Sequence, residues 1–282
     1  MRLIKTIGKM KTAIGGLKAR KQTVGFVPTM GFLHEGHLSL VRECKRTADA
    51  TVVSIFVNPA QFGPKEDLQS YPRDLGKDSA LLENEAVDFL FHPGVSEMYP
   101  QGYRTYVEIQ DLQDRLCGRS RPGHFRGVCT IVLKLFEIVQ PDVAFFGQKD
   151  AQQVIIIKKM VEDLNLGVSI KDLPTVREPD GLALSSRNAY LNPDERKAAV
   201  VLFKSLKAAQ KLFSRRERGA DHLIGEMRAL IEREPLARID YVEIVNPRTL
   251  EPVSTIGAPS LVALAVFIGK TRLIDNVLLI PD

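Results

Sequence analysis

Thr23-Val24-Gly25-Phe26-Val27-Pro28-Thr29-Met30-Gly31-Phe32-Leu33-His34-Glu35-Gly36-His37-Leu38 is the stretch whose reading decides the fold. It opens with a short β-rich run, Thr23 to Val27, that ends at Pro28. It closes on the start of a helix, because from His37 to Ala48 the residues Leu38, Val41, Cys44 and Ala48 recur at helical spacing. Directly beyond, Ala50 to Val57 is almost continuously apolar, the pattern of a strand buried on both faces, and Asn58-Pro59 stops it. Strand, turn, helix and strand in that order form the repeating unit of a parallel α/β sheet.

The same alternation continues outward. Leu75 to Ala86 reads as a helix and Val87 to Phe91 as a strand. Thr130 to Val139 is an amphipathic helix stopped at Pro141, and Val143 to Phe146 is another buried strand. Ala151 to Leu164 is helical, and Val168 to Leu173 is a strand. The expected fold is α/β: a Rossmann-like parallel sheet of about five strands with helices on both faces. In such sheets ligands bind beyond the carboxyl ends of the strands, which points to the loops at Pro28, Asn58, His92, Gly147 and Pro174.

The texture changes after Gly181 to Leu191. Asn192 and Pro193 are an N-cap and a first helical residue for one long helix, Asp194 to Phe213. A helix from about Ala220 to Arg233 and strands at Ile239 to Val245 and Leu261 to Ile268 complete a smaller α+β domain. The expected division is residues 1–176 for the Rossmann-like domain and 177–282 for the C-terminal one, with Arg177 to Asn188 as hinge.

The chain has 282 residues, a net charge of +5 and a pI near 9.0. Its basic residues are spread out, and with no Trp and 7% aromatics it lacks the aromatic-rich basic face of a single-strand nucleic-acid binder. The basic balance suits small anionic substrates. Cys44, Cys117 and Cys129 have no C-x-x-C spacing, which argues against a disulfide framework or a zinc site. Without a signal-like apolar N-terminus or a membrane-length apolar run, the expected location is cytoplasmic.

The chemistry centres on His34 and His37, three residues apart at a helix start and therefore on one side of it. The unpaired N–H groups and the dipole of a helix N-terminus favour an anion. Imidazoles add donors, and Gly31 and Gly36 let the backbone come close to a phosphate. Metal ligation is the competing reading of an H-x-x-H pair, and no carboxylate or third His stands at a companion spacing.

The run Pro28 to His37 resembles the ATP-binding loop of the pantoate–β-alanine ligase family, whose members carry a His-x-Gly-His motif of the nucleotidyltransferase superfamily. The resemblance spans essentially the whole chain. It continues at Val53 to Phe62, Ser120 to Val128, Phe146 to Asp150 with Gln152-Gln153, Asp180 to Asn188, and Arg272 to Asn276. It implies ATP-dependent condensation of (R)-pantoate with β-alanine through a pantoyl adenylate. It also implies ATP contacts at Met30, Gly31, Phe32, Leu33, His34, Glu35, Gly36, His37, Gly147, Gln148, Lys149, Asp150, Val176, Leu184, Ser185, Ser186 and Arg187, with His37 and His34 catalytic. Pantoate would be held by Gln61 and Gln153, and β-alanine would overlap Gln61. Magnesium would arrive with ATP, with Asp78 a candidate contact, and the chain would form a homodimer. Gln148 stands where many family members carry Glu, a change that keeps length and hydrogen-bonding capacity. The loop with Arg119, Arg121, His124 and Arg126 is open between a flap, a solvated turn and a subunit contact. A related enzyme transferring AMP or CMP to a phosphorylated acceptor is the nearest rival, and Gln61 and Gln153 favour a polyol acid over it.

Overall fold

The structure is a computed structural model that describes residues 1–64 and 66–281. The chain forms two compact units. The first comprises Met1–Gln113, Arg121–Gly147 and Ile156–Pro174, and the second Asp114–Ser120, Gln148–Ile155 and Thr175–Asp282. The last crossing thus falls at Pro174, two residues before the boundary drawn from sequence. Two short segments placed by the sequence in the first part belong to the second unit.

In chain order the elements up to Leu173 are β1 (Arg2–Ile4), α1 (Ile7–Ala19), β2 (Val24–Thr29), α2 (Glu35–Thr47), β3 (Ala50–Ile55), α3 (Leu75–Asn84), β4 (Phe89–Phe91), α4 (Val95–Met98), α5 (Cys117–Ser120), α6 (His124–Val139), β5 (Val143–Gly147), α7 (Ala151–Asp163) and β6 (Ser169–Leu173). Among the described residues six strands form one sheet in the order β1-β4-β3-β2-β5-β6, and every pairing is parallel. Parallel α/β organisation is therefore as read. The edge strand β1 went unread because three residues carry no period. The strand expected to end at Pro28 runs to Thr29, with Pro28 opposite Ser54 and Thr29 opposite Ile55. Helix α6 begins six residues before its expected start.

Alternate strand residues point to opposite faces, and both faces are covered. Val27, Val53, Ile55 and Phe145 pack with Leu40, Val41 and Cys44 of α2 and Leu82 of α3. On the other face Phe26 meets Phe136 of α6 edge-on, with ring centroids 6.4 Å apart. Burying each such side chain is worth about 1.5–3 kcal/mol, which fixes where the loop after β2 emerges.

The second unit contains α8 (Pro193–Ala198), α9 (Val201–Ser214), α10 (Ala220–Glu232), β7 (Ala237–Val245), β8 (Ser260–Ile268) and β9 (Thr271–Leu279). Its strands form an antiparallel sheet, β7-β8-β9. Leu202, Leu206, Leu223, Met227 and Ile231 pack on Val262, Leu264 and Val266. Asn192 caps α8 in a reciprocal box with Glu195, as the Asn-Pro signal predicts. The single helix expected over 194–213 is two. Tight bonds from Val200 N–H to Lys197 O and from Leu202 N–H to Ala199 O interrupt the ladder between them. Strand β9 was missed because Arg272, Asp275 and Asn276 break its apolar pattern. Among the described residues no helix is long and apolar enough to cross a membrane.

Candidate active site

The loop after β2 is shaped by the backbone before any ligand is considered. Gly31 has φ +84°, and a Cβ there would lie 2.9 Å from Ile55 Cγ2 and 3.0 Å from Asp78 Oδ2. Phe32 follows at φ +51°, an uncommon conformation for a large side chain. The Asp78 carboxylate secures this turn. It is buried and accepts the Phe32 N–H at 2.8 Å and the Leu33 N–H at 2.7 Å. Burial pushes its carboxyl above the usual range, while the two backbone donors pull the other way. Asp78, the candidate metal contact of the sequence reading, is thus an anchor for the loop, with each oxygen accepting a backbone N–H. Among the described residues no group of three or more His, Cys, Asp or Glu side chains could hold a metal ion.

His34 is the N-cap of α2. Its Nδ1 accepts the Gly36 N–H at 3.2 Å, and His37 Nδ1 accepts the His34 N–H at 3.3 Å. The rings lie 4.1 Å apart, tilted by 39°. Each ring thus uses Nδ1 for a backbone bond at the helix start. An accepting Nδ1 puts the hydrogen of each neutral ring on Nε2. Leu33 is buried in the core, and the Glu35 carboxylate pairs with Arg42, which also bonds Glu85 at 2.6 Å. Thr29 Oγ1, unread in the sequence, accepts the Gly31 N–H at 3.2 Å and donates to Ser54 O at 2.7 Å.

After β3 a short turn, Pro59–Gln61, holds Gln61 almost fully buried. Helix α6 lies so close to it that a Cβ on Gly127 would stand 2.2 Å from Ala60 O. Gln61 Nε2 donates to Met30 Sδ at 3.1 Å, so the acid-binding candidate touches the first residue of the ATP run. His124 Nδ1 is 2.8 Å from Gln61 O, Arg121 Nη1 is 3.1 Å from His124 Nε2, and Arg121 grips Glu66 at 2.8 and 2.6 Å. This resolves part of the cationic loop: Arg121 and His124 brace the Gln61 backbone. Arg126 instead stacks on Tyr106 at 4.2 Å, and Arg119 pairs with Glu243 in the second unit. Sequence reasoning also passed over Asn58 and Tyr99, which bond the same turn.

In the second unit, Gln148, Lys149 and Asp150 form the turn that precedes α7. Asn276 of β9 holds that turn, donating from Nδ2 to the carbonyls of Gln148 and Lys149 at 2.9 Å each. The Gln148 amide reaches back to Asn276 Oδ1 at 3.4 Å. Asp275 beside it forms a two-point pair with Arg177 at 2.6 and 2.9 Å. Those buried polar residues explain why the Arg272 to Asn276 run matters: it ties the Lys149 turn and the Arg177 loop to one strand. Val176 O accepts the Leu184 N–H at 3.0 Å, and Ser185 caps the Ser186–Tyr190 turn by accepting from Arg187 N at 3.3 Å. Lys149, Ser185, Asn188 and Asp275 line a small cleft with Leu182, Ala183, Leu202, Leu273 and Ile274. Gln153 lies half-buried in the first turn of α7. Gln152 is structural, bonding Cys117 N–H at 3.0 Å and Arg115 O at 2.7 Å.

A parallel α/β sheet with paired imidazoles at the helix start after its central strand belongs to the class of nucleotide-handling α/β enzymes. The particular family follows from comparison with known proteins. The chain belongs to the pantoate-beta-alanine ligase family, whose profile matches residues 2–278. It is 56% identical over 279 residues to a pantothenate synthetase of Thermotoga petrophila, covering 99% of this chain and 100% of that one. It is 57% identical over 277 residues to the pantothenate synthetase of Heliobacterium modesticaldum, covering 98% of each. Among solved structures, the pantothenate synthetase of Thermus thermophilus superposes with a TM-score of 0.94 at 45% identity, covering 98% of this chain and 99% of that one. The Francisella tularensis pantoate-beta-alanine ligase, solved with beta-gamma ATP and beta-alanine, gives 0.82 at 36% identity over 99% and 97%.

Proposed function

We infer that this enzyme joins pantoate and β-alanine into pantothenate at the expense of ATP. One observation in the site carries the reading. His34 and His37 commit Nδ1 to the backbone and stack at the start of α2, which makes Nε2 the donor side of each ring. A triphosphate suits that helix end, where the dipole and the imidazole hydrogens stabilise anionic oxygens.

The reaction balances in two steps. A carboxylate oxygen of pantoate attacks the α-phosphorus of ATP, and the bond to the β-phosphate oxygen breaks, giving pantoyl adenylate and pyrophosphate. The amine of β-alanine then attacks the acyl carbon; the acyl–oxygen bond breaks, AMP leaves and the amine loses a proton. Neither leaving group needs a strong acid, so the protein's task is positioning and charge stabilisation. His34 and His37 serve as donors to the developing charge. Lys149, Ser185, Ser186 and Arg187 supply further cationic and hydroxyl donors for phosphate. Gln61 and Gln153 hold pantoate, and β-alanine overlaps the Gln61 position. Magnesium would neutralise the triphosphate and be held by its oxygens. We further read the chain as cytoplasmic, from its lack of a signal-like or membrane-length apolar run, and as a homodimer, as the family resemblance implies; light scattering of the purified protein tests the dimer.

The experiment is to supply ATP, pantoate and β-alanine and follow AMP and pantothenate. With β-alanine withheld, pantoate-dependent exchange of labelled pyrophosphate into ATP is expected. Release of ADP, or AMP formation only with a phosphorylated acceptor, would overturn the reading.

A further inference from the structure

We propose that Tyr99 is a positioning residue for the acid site: its hydroxyl completes the hydrogen bonds that hold the Asn58 amide in place, and that amide in turn makes Gln61 present its NH2 group to the acid. The proposal rests on the assignment of Gln61 to pantoate and deepens it.

The relay is directional. Tyr99 donates its O–H to Asn58 Oδ1 at 2.8 Å, and the Ala60 N–H reaches the same oxygen at 3.3 Å. With Oδ1 so occupied, Asn58 Nδ2 faces the other way and donates to Gln61 Oε1 at 3.0 Å and to Gly127 O at 3.1 Å. All four hydrogen-bonding positions of the Asn58 amide are used, in a side chain 1% exposed, so the opposite orientation would set its NH2 against the Ala60 N–H and its oxygen against Gly127 O and Gln61 Oε1. Gln61 Oε1 is thereby taken. Its NH2 remains as the outward group and rests on Met30 Sδ at 3.1 Å. A thioether is a weak acceptor, so an oxygen of an incoming acid displaces it at little cost. A flipped Gln61 would instead turn a carbonyl oxygen toward an anionic substrate.

Tyr99 is suited to a fixed donor role. Burial pushes its phenol well above the ordinary range, so it keeps its proton throughout the working pH range. Its ring is held by Tyr103, 5.0 Å away and edge-on, and by Phe56 at 6.3 Å. Tyr99→Phe therefore removes the hydroxyl and leaves the packing.

The test is steady-state kinetics of Tyr99→Phe, Gln61→Ala, the double variant and the control Tyr103→Phe. Tyr99→Phe should raise KM for pantoate about 10-fold, the size of one lost orienting hydrogen bond. It should leave kcat within about 2-fold and KM for ATP unchanged, because only ground-state acid binding is touched. Tyr103→Phe should behave as the parent. The double variant should be no worse than Gln61→Ala, since the hydroxyl acts only through that amide. If Gln61→Ala weakens pantoate but Tyr99→Phe does not, or if the two losses add, the relay is wrong. An unchanged pantoate KM in Gln61→Ala would bring down the assignment of Gln61, and the relay with it.

Discussion

Asp275→Ala should destabilise the second unit by about 2–4 kcal/mol. The Asp275 side chain is 1% exposed and Arg177 is 23% exposed. The carboxylate receives two bonds from the guanidinium and the Asn276 N–H at 2.8 Å. Without it, Arg177 keeps one bond to Gly181 O at 3.0 Å and its stacking on Phe203, with a ring centroid 4.7 Å away. Removing one member of a buried pair costs about 3–5 kcal/mol, because the other charge is left unpaired. The partial exposure of Arg177 lets water take up some of that loss, which lowers the range. At about 2–4 °C per kcal/mol for a chain approaching this size, the midpoint of thermal unfolding should fall by about 4–16 °C. Circular dichroism melts of Asp275→Ala, Arg177→Met and the double variant Arg177→Met/Asp275→Leu would measure it. The double variant should recover most of the loss, since apolar replacement of both charges is nearly neutral. Asp275 also precedes Asn276, which holds the carbonyls of Gln148 and Lys149, so KM for ATP should rise in the single variant. A loss under about 0.5 kcal/mol, or a double variant as damaged as the sum of the singles, would refute the reasoning.

Other expectations follow from the same geometry. His34→Ala should lose an N-cap worth about 1 kcal/mol together with pyrophosphate exchange. His34→Asn can still accept the Gly36 N–H and should regain stability in urea melts, but not exchange. Asp78→Ala leaves the Phe32 and Leu33 N–H groups without their acceptor, at about 1–3 kcal/mol each, and KM for ATP should rise at least about 10-fold. His222 is pushed above its usual value by its bond to Glu217, whose carboxyl is drawn down to about 2. The contribution of that His is full below its unfolded pKa of about 6.5 and is lost as pH rises through the raised value. An NMR titration should show the raised value, and Glu217→Gln should abolish it. Burial raises the Cys44 and Cys129 thiols to about 11 and about 12, so a disulfide reagent should modify neither until the protein is unfolded.

The amino-acid sequence by itself determined the alternation of buried strands and amphipathic helices, because periodicity is a local property. It also pointed to the Gly31 to His37 turn as a candidate anion site, since glycines and imidazoles at a helix start are chemically legible wherever they fold. The identity of the acid rests on the resemblance at Gln61 and Gln153, not on any pattern of spacing. Tertiary structure decided the rest. It showed that His34 and His37 spend Nδ1 on the backbone, which sets the tautomer and so the donor. It showed Asp78 to be an anchor of the loop, 45 residues away in sequence from the N–H it accepts at Leu33. It gave β9, unreadable because Asp275 and Asn276 are polar, a reason to bury those residues: they bind Arg177 and the Lys149 turn. Buried polar groups must find partners, and those partners come from any part of the chain, so local pattern gives most of the elements but not which side chains hold the site together.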